Sequence, residues 1–413
     1  MLRLSPSIRA LVFALLSVIV PFGACPTLAA SKAAVEQQFH AWIDAEIWPA
    51  AQAQGISRKA FDRAFAGVAI NWKLPDLVAP GEKPKPKKKQ SQAEFSSPGP
   101  YFDEKRLLTL ANSGKAYAQA HASLLRKIEK KYGVPGAIVL AIWGRETGYG
   151  KAKITASEMD VLATMAFMGD RKDQFRKELL AALTMVEQGI DPARMKGSWA
   201  GAMGQPQFMP SSYLKYAVDL DGDGTKDIWN SVPDALGSIA NYLVAKGWQK
   251  GRSWGYDKVS CAQEGPDLAQ PIKAWAGLGI ERISGKSFPS SELKSDGMML
   301  VPAGRHGPEF IVTPNFYVIK EYNNSDLYAL FIGNLADRIA YGSGRFDGAW
   351  GKVGHMLRSD VEHMQKKLNK QGHDVGKIDG LPGYKTRRSI GRWQEKNGMA
   401  ATCYPEEDML GKL

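Results

Sequence analysis

The sequence predicts a mainly α (α+β) protein: a long helical unit carrying a small β-rich region, followed by a separate small helical unit. Three observations predict it. Apolar residues recur at helical spacing over most of the stretch from Ala34 to about Lys246. Between about Gly247 and Phe316 strands become favoured, ending in "FYVIKEYN", rich in β-branched and aromatic residues. The last sixty or so residues follow a glycine-rich stretch and carry their own capping signal and apolar stripe.

In chain order, Arg3 and Arg9 precede the apolar run Ala10–Val20, then Pro21 and the small residues of "TLAASKA". This describes a secretory signal peptide over residues 1–30, too short to span a bilayer comfortably. Cys25 in "FGAC" raises lipid anchoring, but Phe22 and Gly23 fit such a site poorly, so membrane association is expected only if Cys25 is lipidated. Export leaves Cys261 and Cys403, read as free or partly buried thiols in different units. The formal charge of +12 calls for an acidic partner. Export makes nucleic acid an unsuitable one and leaves an anionic wall polymer or lipid.

Helix is expected from Ala34 to about Val68, with Gly55 as a stop. The stretch 80–92, with five lysines and three prolines, reads as a solvated basic loop. Ser113 is read as the N-cap of a helix carrying Tyr117, Ala120, Leu124 and Ile128 and closed by Gly133. Pro135 suits the first turn of the next helix, "GAIVLAIWGRE". "SWAGAMGQPQFMPSSY", Ser198–Tyr213, breaks the periodicity with glycine and proline. "NSDLYALFIGNLADRIAYG" returns to helix, and Tyr341–Gly354 reads as a hinge. Beyond it, Ser359-Asp360-Val361-Glu362 reads as a capping box before the stripe Val361, Met364, Leu368, and a second helix follows at "RRSIGRWQEKNG".

Glu146 closes a strongly apolar helix. Lost solvation and the helix dipole both disfavour its charge there and push its pKa up. A carboxyl group that keeps its proton near neutral pH can protonate the leaving oxygen of a glycosidic bond. The alternative is a salt bridge to Arg145 or Lys153. An ordinary glycoside hydrolase needs a second carboxylate. The nearest downstream acids, Glu158 and Asp160, sit in a polar stretch and read as structural. In "GQPQFMPSSY" the glycines allow close backbone approach, while Ser198 and Gln207 offer neutral hydrogen-bonding groups. Trp199, Phe208, Tyr213 and Tyr242 could stack on sugar rings; the competing reading is a structural loop. In "DLDGDGTKDIWN", Asp219, Asp221 and Asp223 stand at loop positions 1, 3 and 5, Gly224 at 6 and Asp227 at 9, the spacing of a hard-cation loop. Position 12 is Asn230 rather than Glu, so Asp234 is the candidate to complete the shell. A metal-free Asp/Gly turn is the other reading.

Taken together, "IWGRETGYG", "GSWAGAMGQPQFMPSSY", the acidic loop with "DALGSIANYL", and "VIKEYNNSDLYA" resemble the membrane-bound lytic murein transglycosylase B family from about Phe39 to Tyr341. The C-terminal block from Asp360 looks like a small three-helix peptidoglycan-binding module. The resemblance implies a lysozyme-like catalytic domain over 33–345 and a wall-binding domain over 354–413. It implies Glu146 as single acid/base, with Ser198, Gln207, Tyr242, Tyr322 and Tyr328 lining the saccharide groove. It also implies Asp219, Asp221, Asp223 and Asp234 as a structural Ca2+ site, with no cofactor required for the chemistry. The reaction would be non-hydrolytic cleavage of the MurNAc–GlcNAc bond to 1,6-anhydromuramyl products, which explains why one carboxylate suffices. A muramidase admitting water, or a wall-binding scaffold without turnover, are the rival readings. The expected setting is the periplasm, with peptidoglycan glycan strands as partner and the protein a monomer. Asp170-Arg171 and Pro206 depart from the family pattern. With two independent units, deletion from about Gly354 should weaken binding to intact sacculi and spare activity on short soluble fragments.

Overall fold

The computed structural model describes residues 31–82, 98–257, 264–278, 287–342, 346, 349–351, 353 and 356–413. The signal peptide, Cys25, Cys261, most of the Lys/Pro loop 80–92 and much of the hinge Tyr341–Gly354 lie outside them.

Helices dominate. α1 (Lys32–Trp42) runs through a π-helical turn (Ile43–Ile47) into α2 (Trp48–Gln52), and α3 (Arg58–Phe65) follows the turn at Gly55. Then come α4 (Glu104–Ala120), α5 (Ala122–Tyr132), α6 (Gly136–Thr147), α7 (Glu158–Met168), α8 (Lys172–Glu187), α9 (Pro210–Tyr216) and α10 (Val232–Ala245). A β-rich insert holds α11 (Ile272–Gly277), and α12 (Pro314–Lys320) and α13 (Asp326–Tyr341) complete the large unit. α14 (Arg358–Lys370), α15 (Tyr384–Lys396) and α16 (Glu407–Leu410) form the C-terminal unit. β1 (Ala156–Ser157) and β2 (Lys196–Gly197) pair antiparallel. β3 (Gly255–Asp257), β4 (Gln270–Pro271), β5 (Asp296–Leu300) and β6 (Phe310–Val312) make an antiparallel sheet in the order β3-β6-β5-β4. Among the described residues no helix is long and apolar enough to cross a membrane.

α6 is buried on all sides from Ile138 to Gly144, which its uniformly apolar sequence requires. α13, α4 and α10 enclose it, with Phe331, Leu107, Ile239 and Leu243 in the shared core. This fixes the end of α6, and with it Glu146, on a rigid scaffold.

Four expectations are corrected. Ser113 lies inside α4; Asp103 is the cap, its carboxylate accepting from Arg106 N at 2.8 Å. α4 continues past Ser113 because Gly114 packs closely on Ile339 and Tyr149, a tertiary contact that local propensity does not register. "FYVIKEYN" is largely helical: Thr313 caps α12 by accepting from Asn315 N, and Pro314 starts it, so Phe316 and Ile319 share a buried face. In α14 the N-terminal position is Leu357 rather than Ser359, with Asp360 accepting from Leu357 N at 2.9 Å. The stripe Val361, Met364, Leu368 is buried as expected. Finally, Cys403 is disulfide-bonded rather than a free thiol.

The two units are not independent. Ala401 and Cys403 of the C-terminal unit sit in one apolar cluster with Ile272, Trp275, Met299, Val301 and Ile311 of the insert. Arg387 on α15 forms an ion pair with the fully buried Glu264, and Arg388 binds Asp267 through two bonds of 2.9 and 2.8 Å. Phe346 and Trp350, from the stretch read as a hinge, both pack against Phe102.

Glu158 is also unlike its expectation. It is fully buried at the start of α7, and neither carboxyl oxygen has a hydrogen-bond partner. Burial, then the neighbouring Glu178, pushes its pKa up to about 8. In the unfolded chain it ionises near 4.5, so folding requires a proton between those values and stability falls as pH rises from 4.5 towards 8. The penalty at pH 8 is on the order of a few kcal/mol. Glu158→Gln should therefore raise the melting temperature at pH 8 by several degrees and leave it nearly unchanged at pH 4.5. Calorimetry at both values checks this, and an equal shift at both would contradict it.

Candidate active site

Glu146 occupies the last turn of α6. Gly148 ends the helix in the left-handed conformation at φ 58°, and Tyr149 and Gly150 continue there at 63° and 76°. Gly144 has no Cβ because the Tyr149 ring lies against it. Tyr328, fully buried in the first turn of α13, donates its hydroxyl to Glu146 Oε1 at 2.7 Å. Burial raises the Glu146 pKa, and the Tyr328 hydrogen bond and the Arg145 charge only partly offset it. Among the described residues no salt bridge joins Glu146 to Arg145 or Lys153. Arg145 instead bonds Tyr101 Oη at 2.9 Å and stacks on the Tyr101 and Phe331 rings, each at 5.1 Å.

The loop from Ser198 to Met209 lies alongside, stitched to both walls. Gln205 accepts from Trp143 Nε1 at 2.8 Å and donates to Trp229 O at 3.1 Å, while its carbonyl accepts from Thr147 Oγ1 at 3.1 Å. Tyr322 Oη donates to Pro206 O at 2.8 Å. Inside the loop Gln207 adopts φ 55°, a conformation non-glycine residues rarely take, and its Nε2 bonds Ala202 O and Gly204 O. Ser198 Oγ accepts from Ala200 N and Ala202 N.

Aromatic rings continue the surface. Tyr322 stacks on Tyr328 with centroids 6.3 Å apart, Tyr242 meets Tyr322 at 4.9 Å, and Phe208 lies 5.7 Å from Tyr242. Tyr242 Oη donates to Glu321 O at 2.8 Å. Thus Glu146, Tyr328, Tyr322 and Tyr242 form one contiguous set, with Gln207 beside it through Pro206; no hydrogen bond links Ser198 to Glu146. Trp199 is 60% exposed, a free ring at the loop. Tyr213 stands apart from these rings: it lies tilted against Trp229 at 5.7 Å and donates to Lys226 O. Gln205, which holds the loop to α6, went unremarked in sequence because "GQPQ" offers two glutamines and no pattern distinguishes them.

The acidic loop is organised as its spacing predicts, with one exception. Carboxylate oxygens of Asp219, Asp221 and Asp223 lie within 4.8 Å of one another. Asp234 stands outside that cluster: fully buried, it accepts from Leu220 N at 2.7 Å and Asp227 N at 2.8 Å. It shapes the loop backbone from the start of α10. Asp227 is taken up by Arg194 at 2.7 Å.

Residues 38–337 match the family model described as the transglycosylase SLT domain, and residues 358–413 match that of a peptidoglycan binding domain. The chain is 36% identical over 250 residues to the membrane-bound lytic murein transglycosylase B of Escherichia coli, a match spanning 57% of this chain and 66% of that protein. It is similar to SltB3 from Pseudomonas aeruginosa, solved in complex with NAG-NAM-pentapeptide: 38% identity, TM-score 0.79, covering 91% of this chain and 99% of that one. It also resembles the Escherichia coli lytic transglycosylase Slt35 in complex with calcium, at 31% identity and TM-score 0.50, over 59% of this chain and 77% of that one. With its helical core, its groove-side loop and Glu146 at the end of the buried helix, the chain belongs to the transglycosylase SLT domain family and carries a peptidoglycan-binding domain at its C-terminal end.

Proposed function

We propose that the protein is a periplasmic lytic transglycosylase that cleaves the MurNAc–GlcNAc β-1,4 bond of peptidoglycan without water. The observation that carries this is Glu146: a carboxyl group with raised pKa, held by one tyrosine hydroxyl, whose charged influence is a cation rather than a second acid. In the forward step Glu146 transfers its proton to the glycosidic oxygen as the C1–O bond breaks, releasing GlcNAc as a free hydroxyl. Positive charge develops on the muramyl C1 and its ring oxygen. The muramyl C6 hydroxyl then attacks C1 from within, and its proton returns to the Glu146 carboxylate. Atoms balance without water, and the acid is regenerated. Tyr328 stabilises the transient carboxylate through its hydroxyl, while the ring faces of Tyr242 and Tyr322 and the loop of Ser198 and Gln207 hold the glycan strand.

Digestion of purified sacculi followed by mass spectrometry tests this: muropeptides one water lighter than hydrolysis products are expected. Products with reducing ends would make the protein a muramidase.

Asp219, Asp221 and Asp223 would hold a Ca2+ ion, a role supported by their convergence. The ion would neutralise mutual repulsion in the loop that leads into α10 and take no part in the chemistry. Calcium at a hundredfold excess over its Kd should stabilise the fold by about 2.7 kcal/mol. A rise in melting temperature with added calcium, lost in Asp221→Asn, is the expected result; no rise in the parent protein would remove calcium from the account. The protein is expected to act as a monomer.

A further inference from the structure

The junction between the C-terminal unit and the large unit contains more than packing. Arg387, in the first turn of α15, is almost fully buried and binds two carboxylates from the large unit. Glu264 accepts from its Nε at 2.9 and 3.1 Å, and Asp326 accepts from its Nη2 at 3.2 Å. Pro382 O takes its Nη1 at 2.6 Å. Asp326 Oδ1 in turn pairs with Lys320 at 2.8 Å.

The position of Asp326 is the telling feature. It is the first residue of α13, two residues before Tyr328, whose backbone N is capped by Ser325. Lys320 is the last residue of α12. The Arg387–Asp326–Lys320 cluster therefore grips both ends of the turn Glu321–Ser325, which includes Asn324 at φ 47°. That turn carries Tyr322, which holds the groove loop at Pro206, and it leads directly into Tyr328, which holds Glu146. A turn with a left-handed non-glycine residue does not hold its conformation unaided. A buried ion cluster is weak evidence for stability but strong evidence for a fixed geometry, because its charges tolerate few alternative placements. Although burial works against the charge of Asp326, the two cations outweigh it and bring its pKa to about 2. Asp326 thus carries its charge near neutral pH.

We propose that Arg387 is a positioning residue for the active site: by fixing Asp326, the docked C-terminal unit holds Tyr322 and Tyr328 in place against the groove loop and Glu146. The wall-binding unit is then a structural part of the catalytic site as well as a tether. This rests on Glu146 being the acid/base group.

The test is a double-mutant cycle in the full chain, with soluble glycan fragments as substrate. Asp326→Asn keeps the side-chain shape and leaves Arg387 paired with Glu264. It should lower kcat roughly tenfold or more, because misplacing a catalytic partner by a fraction of an ångström weakens transition-state contacts. KM should change little. The melting temperature should fall, because a carboxylate held well below its usual range contributes stability that asparagine loses. The effect on kcat is therefore read at a temperature where the variant is folded. Tyr328→Phe should lower kcat by itself. The double variant should be slower than Tyr328→Phe by clearly less than the Asp326→Asn factor, since Asp326 acts in part through that hydroxyl and in part through Tyr322. Unchanged kcat in a folded Asp326→Asn protein would overturn the proposal, and so would effects of the two substitutions that multiply. If Asp326→Asn does not fold, Glu264→Gln combined with Arg387→Met removes the clamp without leaving Glu264 as an unpaired buried charge, and the same cycle decides. A parent enzyme that leaves reducing ends would refute the non-hydrolytic reading of Glu146, whereas the cycle judges the clamp from rates alone, so the two failures are separable.

Discussion

Glu146→Gln is expected to reduce kcat at least about 10³-fold and to retain binding to sacculi. Protonation of the leaving oxygen is the step for which the site has one group, and removing a general acid typically costs 10²- to 10⁴-fold. In the proposed mechanism the same group also takes the C6 hydroxyl proton, which places the expected loss in the upper part of that range, since both half-steps are lost together. Glutamine preserves the shape and can still accept from Tyr328, which separates lost chemistry from lost fold. The pH profile carries the matching signature. In the proposed mechanism the reactive form is the protonated carboxyl, whose pKa burial raises against the opposing pulls of Tyr328 and Arg145. Activity should therefore persist above the usual carboxylate range and fall as pH rises through the shifted value. Rates measured from pH 4 to 9, with calorimetry alongside, would show it. A profile that rises through that range would mean Glu146 acts first as a base.

Deleting residues 356–413 should damage the catalytic unit itself, contrary to what a chain of independent modules would show. The deletion uncovers Ile272, Trp275, Met299, Val301 and Ile311 and leaves Glu264 buried without its cation. Breaking a buried pair by removing one partner costs about 3 to 5 kcal/mol, and the exposed apolar surface adds to that. The truncated protein should melt well below the full chain or aggregate, and its activity on short soluble fragments should drop with its affinity for sacculi. A truncated protein with unchanged melting temperature and unchanged turnover of soluble fragments would restore the modular view.

Much of this was legible in sequence, and the reasons differ by element. Glu146 announced itself because a carboxylate at the end of "AIVLAIWG" conflicts with its surroundings, and the conflict survives in the structure. The acidic loop was legible because cation loops constrain residues at fixed short spacings, and three of the four proposed aspartates do converge. Asp234 stands apart from that cluster and accepts from backbone amides, a role that looks the same in sequence as binding an ion. "FYVIKEYN" misled because β-branched and aromatic residues also suit a short helix with one buried face. The docking was invisible for a different reason. "RRSIGRWQEKNG" reads as a second helix of the C-terminal unit, and the acids that pair with Arg387 lie 123 and 61 residues away. Nothing in local pattern marks such pairs.

The most direct test is digestion of sacculi in water enriched in heavy oxygen, followed by mass spectrometry of the new chain ends. The account predicts 1,6-anhydromuramyl ends carrying no solvent oxygen, and none at all with Glu146→Gln. Labelled reducing ends would contradict it, because they would show that water, rather than the muramyl C6 hydroxyl, attacks C1.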